Sequence, residues 1–216
     1  MPEYSIMLCI TEPFLGSDNF ENHSDNIKIV FNEPQKHPTV IFKPKNPWDI
    51  NPWSTYFNVI QINPKTLHLY YRGNLKSTTT NYHSEHTCIL ISTDSGLTFQ
   101  QPNLQIIPYN TEKYTNIIWK GNAITHNFFA FKPEHTKTNK LMAIGGLNAG
   151  SCQCCGKGIH LLESTDGLNW TKNKIIVTSK NSAKQNYNTH YDSLNTLFWD
   201  PFKNEYKLFL RFNERR

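Results

Sequence analysis

The sequence predicts an all-β chain of the β-propeller class, on three observations. A short turn phrase occurs twice, helical periodicity is nearly absent, and three segments of the chain follow one strand-and-turn grammar. The phrase reads STDSGLTF at residues 92–99 and STDGLNW at residues 164–170, with Asp166 72 positions after Asp94. Each copy follows an apolar run, CILIS at 88–92 and GIHLLES at 158–164. Ser and Asp side chains can bond backbone amides two residues on, and Gly tolerates a positive φ, so each phrase is a tight reversal closed by an aromatic, Phe99 or Trp170. Asp94 and Asp166 are therefore read as turn residues, their oxygens engaged by the backbone they organise. Two such turns about 70 residues apart suit two four-stranded units with loops, the repeat of a propeller.

The elements follow in order. Residues 1–46 form an irregular lead-in, with IKIVF (28–32) and TVIFK (39–43) as candidate strands; residues 47–216 form the partial propeller. Its first unit, 55–102, runs TYFNVIQI (55–62), a turn at NPK, TLHLYYRG (66–73), a polar loop, and HTCILIS into the first phrase. The second, 115–173, runs NAITHNFFAFK (122–132), KLMAIGG (140–146), a cysteine-bearing loop, and GIHLLES into the second phrase. The third, 174–216, offers YDSLNTLFWD (191–200) and EYKLFLRF (205–212) and is incomplete, giving about two and a half units. A ring of five such units needs about 350 residues. An open ring exposes unpaired strand edges. We therefore expect a fragment, a degenerate remnant, or a chain whose open edge is covered by missing blades or a second chain.

Composition narrows the function classes. The chain of 216 residues is 38% apolar and 13% aromatic, which suits a folded domain. It has no apolar run of membrane length, so no membrane partner is expected. The start, MPEYSIMLCITEPFLG, lacks a basic n-region and carries Glu3 and Glu12, so it does not read as a secretory signal and implies a cytoplasmic protein if that start is native. The net charge of +5 is scattered among acids without a stripe of Lys and Arg between aromatics, so no nucleic-acid partner is expected. Five cysteines do not make a disulfide framework. Cys152 and Cys155 have metal-knuckle spacing, with Cys154 between them and His160 close behind. No second pair completes four ligands, so the expectation is free thiols, no metal and no cofactor.

The order of motifs also resembles the five-bladed β-propeller glycoside hydrolase superfamily, the group of arabinanases, invertases and levanases, and especially its uncharacterised branch. The resemblance runs over residues 30–216 and rests on NEPQKHPTVIFKPKNPWD, the return strand LHLYYRG, the turn STDGLNW, the segment THNFFAFKPE, and YDSLNTLFWDPFKNEYKLFLR. It implies a carbohydrate ligand and hydrolysis of a glycosidic bond by paired inner-strand carboxylates, one as acid and one as base or nucleophile. Asp192 matches the acid of the third-unit motif. Asp49 stands where the relatives carry Glu after Pro-Trp, and either acid could instead cap a turn. The second unit departs from the pattern, with Lys132 and Pro133 where an acid is expected and Glu134 one step later. Trp48, Trp53, Arg72, His126, Asn127 and His190 are the candidate substrate-binding residues. Indole faces stack on sugar rings, and the others bond hydroxyls. The missing acid keeps open a non-catalytic carbohydrate-binding or protein-interaction propeller. STDSGLTF also fits the turn box of sialidases, but only Arg72, Arg211, Arg215 and Arg216 are present to clamp a sialate carboxylate.

Overall fold

The computed structural model describes residues 38, 40–51, 54–74, 85–120, 123–133, 138–147, 158–178, 191 and 193–211. The ten strands among the described residues lie in the unit Val40–Arg216, and these residues contain no α-helix. The architecture is all-β. β1 (Thr55–Gln61), β2 (Leu67–Asn74), β3 (Glu85–Ser92) and β4 (Ile117–Lys120) form an antiparallel sheet in that order. β5 (Phe129–Phe131), β6 (Leu141–Gly145), β7 (Ile159–Ser164) and β8 (Thr171–Val177) form a second sheet, again in chain order. β9 (Thr196–Asp200) and β10 (Glu205–Phe209) pair as a two-stranded sheet.

The faces follow from the period of two along each strand. In β2, Tyr70 points to one side while Leu69 and Tyr71 point to the other; in β3, Ile89 alternates with Cys88 and Leu90. Tyr70, Ile89, Ile60 and Ile118 pack on Phe128, Ala130, Leu141, Ala143, Leu162 and Trp170 of the second sheet. Tyr70, Phe128 and Trp170 meet as an aromatic trio with centroids 5.2–6.0 Å apart, in tilted and edge-on geometry. The far face of the second sheet, with Ile144 and Ile159, packs on Leu197 and Leu208 of β9 and β10. Full burial of each such side chain contributes about 1.5–3 kcal/mol.

Both repeated phrases are turns with the expected bonding. Ser92 Oγ donates to Asp94 Oδ1 at 2.7 Å and accepts from the Gly96 amide at 2.8 Å, while Asp94 accepts from the amide and hydroxyl of Thr98. In the second copy Ser164 Oγ donates to Asp166 and accepts from the Gly167 amide, and Asp166 accepts from Leu168 and Asn169. Gly96 and Gly167 take φ values of +91° and +73°.

Four stretches differ from the sequence-based expectation. The strand expected at 122–132 is strand only over Phe129–Phe131; Ala123–Asn127 is a 3-10 turn. Its polar side chains are buried and bond away from any ladder, and it presses so close that a Cβ on Gly145 would sit 2.8 Å from the Ile124 carbonyl. The strand expected from 191 begins only at Thr196. Tyr191 instead starts a reversal at φ +51°, its carbonyl accepting from the Ser193 amide and from Asn195 Nδ2. The first sheet also continues past residue 102, because Ile117–Lys120 pairs with β3. In the lead-in, 40–43 are not strand, and IKIVF lies outside the described residues.

Candidate functional site

The site begins with a defect in a ladder. β1 pairs with β2 through Thr55↔Arg72 and Asn58↔Tyr70, so Tyr56 and Phe57 together oppose Tyr71 alone, a bulge of one extra residue. Tyr56 adopts φ +60°. That conformation belongs by default to glycine and costs a bulky residue about 1–3 kcal/mol. Beyond the bulge, Asn58 Oδ1 accepts from the Ala130 amide of β5 at 2.7 Å, joining the first strands of the two sheets.

Across from the bulge, Arg72 lies buried with its guanidinium carbon 4.4 Å from the Tyr56 ring centroid. Its Nη2 donates to Thr55 Oγ1 at 3.1 Å. Its Nη1 lies 3.6 Å from Glu85 Oε1 and 3.0 and 3.3 Å from the two ring nitrogens of His126. His126 Nδ1 in turn lies 2.9 Å from Glu85 Oε2. A guanidinium only donates and a carboxylate only accepts. The imidazole of His126 lies between the two, against the donor Arg72 and the acceptor Glu85. The three side chains are 7–8% exposed, and Tyr56 closes one side with its ring edge-on to His126 at 5.8 Å.

Each element delivers one member. Arg72 is near the end of β2, Glu85 opens β3, and the 3-10 turn carries His126 across from the second sheet. The arrangement pairs a fixed donor fork with a fixed acceptor beside an aromatic ring. The charges of Arg72 and Glu85 oppose one another, and the Tyr56 ring borders the pair.

Of the residues the sequence singled out, Arg72 and His126 are brought together here. Asp49 is elsewhere and fully enclosed. It accepts from the amides of Lys45 and Asn46 at 3.0 and 2.7 Å, from Asn46 Nδ2 at 3.0 Å and from the Tyr71 hydroxyl at 2.7 Å. Trp48 is in the core beside it, its Nε1 donating to Asn116 Oδ1 at 2.8 Å; Asn116 donates on to Tyr71. These bonds pin residues 45–49 to the face of the first sheet. Burial, with Cys88 and Asp49 nearby, raises the Tyr71 phenol, and burial first and then Asp49 raises the Cys88 thiol, so both stay protonated. Asn127 is fully buried and structural, donating from Nδ2 to the carbonyls of Gly146 and Tyr191 and accepting from the Gly146 amide. Asp192, Glu134, Trp53 and His190 lie outside the described residues, as do Cys152, Cys154 and Cys155.

Glu85, Thr55 and Tyr56 were missed by sequence reasoning. Glu85 had a signal, as an acid opening an otherwise apolar strand, EHTCILIS. The role of Tyr56 depends on a register slip that the alternation of TYFNVIQ does not reveal.

Among the described residues no group of three His, Cys, Asp or Glu side chains is arranged to hold a metal ion. No helix among them is long and apolar enough to cross a membrane. Compared with known proteins, the chain matches no family model, no curated protein and no solved structure.

Proposed function

We propose that this chain is a partial β-propeller of the five-bladed glycosidase type, with about two and a half blades, that recognises a carbohydrate. The observation that carries the reading is the buried Arg72–Glu85–His126 cluster beside the bulge in β1. Burying an arginine and a glutamate at a sheet end costs several kcal/mol in desolvation, and replacing such pairs by apolar side chains is often neutral or stabilising. The presence of such a cluster at the junction of two sheets supports a role beyond packing. The repeated Ser-x-Asp turns and the packing of successive sheets face on face support the propeller.

Binding is favoured over hydrolysis by what the carboxylates do. Asp49 is enclosed by donors, and Glu85 is held by Arg72 and His126, so neither has the open approach needed to give or take a proton at a scissile bond. One observation favours a second reading as a hydrolase. Tyr191, directly before Asp192, is fully buried at φ +51°, and Asn127 and Asn195 both clamp its carbonyl. Tyr191 is thus a rigid sequence neighbour of Asp192, and a general acid requires a fixed position.

Glycan-array binding and a panel of chromogenic glycosides, run on wild type, Glu85→Gln and Asp192→Asn, test both readings. The expected result is glycan binding by wild type that weakens about tenfold in Glu85→Gln, as when one charge-assisted hydrogen bond is lost. A folded wild type that binds no glycan overturns the proposal. Turnover that disappears in Asp192→Asn replaces binding by catalysis.

A further inference from the structure

We propose that Tyr56 is the stacking platform of this site and that its ligand is a neutral pyranose rather than an acidic sugar; the inference rests on the carbohydrate reading above. The first ground is conformational. Two residues of β1 oppose one of β2, and the first of them, Tyr56, has φ +60°. In a bulge of this form glycine is the residue that fits without strain. A tyrosine there is disfavoured by its backbone, so its side chain supplies the reason for its presence.

The second ground is what that side chain touches. The ring carries the Arg72 guanidinium 4.4 Å from its centroid and meets His126 edge-on at 5.8 Å. It makes no other ring contact, and its hydroxyl no hydrogen bond, among the described residues. Tyr56 is only half-buried, unlike the other members of the cluster. One face of the ring therefore backs onto the cation, and the hydroxyl is unengaged beside a cluster that is otherwise internally bonded. The C–H face of a pyranose fits such a ring, with the phenol bonding a ring hydroxyl.

The third ground is charge. Arg72 is matched by Glu85 at 3.6 Å, so the guanidinium already faces a carboxylate of the protein and is not held open to clamp that of a uronate or sialate. A carboxylated sugar would bring its charge against Glu85. A neutral ring meets no such opposition.

The test is saturation-transfer-difference NMR with the full chain. The probes are methyl glucopyranoside, galactopyranoside and mannopyranoside against glucuronic acid and N-acetylneuraminic acid, on wild type, Tyr56→Gly and Tyr56→Asn, with melting midpoints of all three. The expected result is transfer from wild type to the C–H face of a neutral pyranoside, at least tenfold weaker binding in both variants, and melting midpoints at or above wild type. Undiminished binding in Tyr56→Gly overturns the platform. Lowered midpoints in both variants show that Tyr56 is kept for packing and overturn it too, and preference for an acidic sugar overturns the ligand class. A folded wild type that receives no transfer from any probe sinks the carbohydrate reading itself, a result distinct from the other three.

Discussion

The Tyr70 hydroxyl donates to the carbonyl of Gly167 at 3.0 Å, so the second strand of the first sheet is tied directly to the repeated turn of the second. The contact spans 97 residues of sequence and sits at the edge of the aromatic trio. A Cβ on Gly167 would lie 2.7 Å from that hydroxyl and 2.8 Å from His68 Nδ1, at a φ of +73° that side chains rarely adopt.

Two substitutions at this tie should therefore differ in size. Tyr70→Phe loses the buried bond to Gly167 and the longer one to His68 Nδ1, and should lower unfolding stability by about 1–2 kcal/mol. Gly167→Ala meets both the clash and the backbone strain, and should lower it by about 2–4 kcal/mol. Chemical denaturation of the two variants measures the difference; a Gly167→Ala variant as stable as wild type would contradict the close approach.

Asp49 should behave as a structural acid. Asp49→Ala removes the acceptor of four donors, two of them main-chain amides, and should destabilise by roughly 3 kcal/mol or more. Glycan affinity per folded molecule should stay within twofold of wild type. A stable Asp49→Ala protein that has lost binding would instead place Asp49 in the ligand site.

Arg72 and Glu85 should be strongly coupled. Glu85→Leu alone leaves a buried guanidinium without its carboxylate and should cost about 3–5 kcal/mol. The double variant Arg72→Met/Glu85→Leu removes both charges and should be more stable than Glu85→Leu. A denaturation double-mutant cycle reads the interaction, and additive losses would show that the two do not act as a pair.

Acid should weaken the fold in two stages. Burial lowers His68 despite the nearby Asp166, and burial together with Lys172 lowers His160. A histidine lowered in the folded state contributes stability that is present above its unfolded value of about 6.5 and is lost as pH falls from there. Asp94 is brought down to about 2 by the Thr98 hydroxyl and amide and by Ser92. Burial pulls Asp166 upward, but bonds from Asn169, Leu168 and Ser164 outweigh it and bring it down to about 2. The contribution of these carboxylates is present above about pH 4 and lost as pH approaches 2. Melting midpoints across pH should fall in both windows. His68→Gln should flatten the upper limb, and Asp94→Asn with Asp166→Asn the lower.

The repeated phrase made much of the fold legible, because its Ser, Asp and Gly bond within their own turn and depend little on distant residues. The strands around it were readable for the same reason, since alternation in HTCILIS or KLMAIGG is a local property. The site was read only in part. Arg72 and His126 stood out as polar residues at strand ends, but their shared partner, Glu85, is 13 residues from one and 41 from the other along the chain. Trp48 and Asp49 drew notice as a Trp-acid pair. Their roles were decided by Asn116 and Tyr71, which no local pattern connects to them. THN at 125–127 read as strand because the aromatic run after it is strand, whereas burial of three polar side chains required a turn.

The Asn127 side chain bonds both the amide and the carbonyl of Gly146 and adds a donor to Tyr191, as a peptide group inserted between two segments would. Detaching the segment that holds Tyr191 therefore strands a donor of Asn127 in an apolar interior and loosens Gly146 along with it. The two-stranded sheet and the inner end of the second sheet should consequently open as one cooperative unit. In native-state hydrogen exchange, the Gly146 amide, though outside any strand, should exchange with the same free energy as the amides of β9, and Asn127→Ala should accelerate both together.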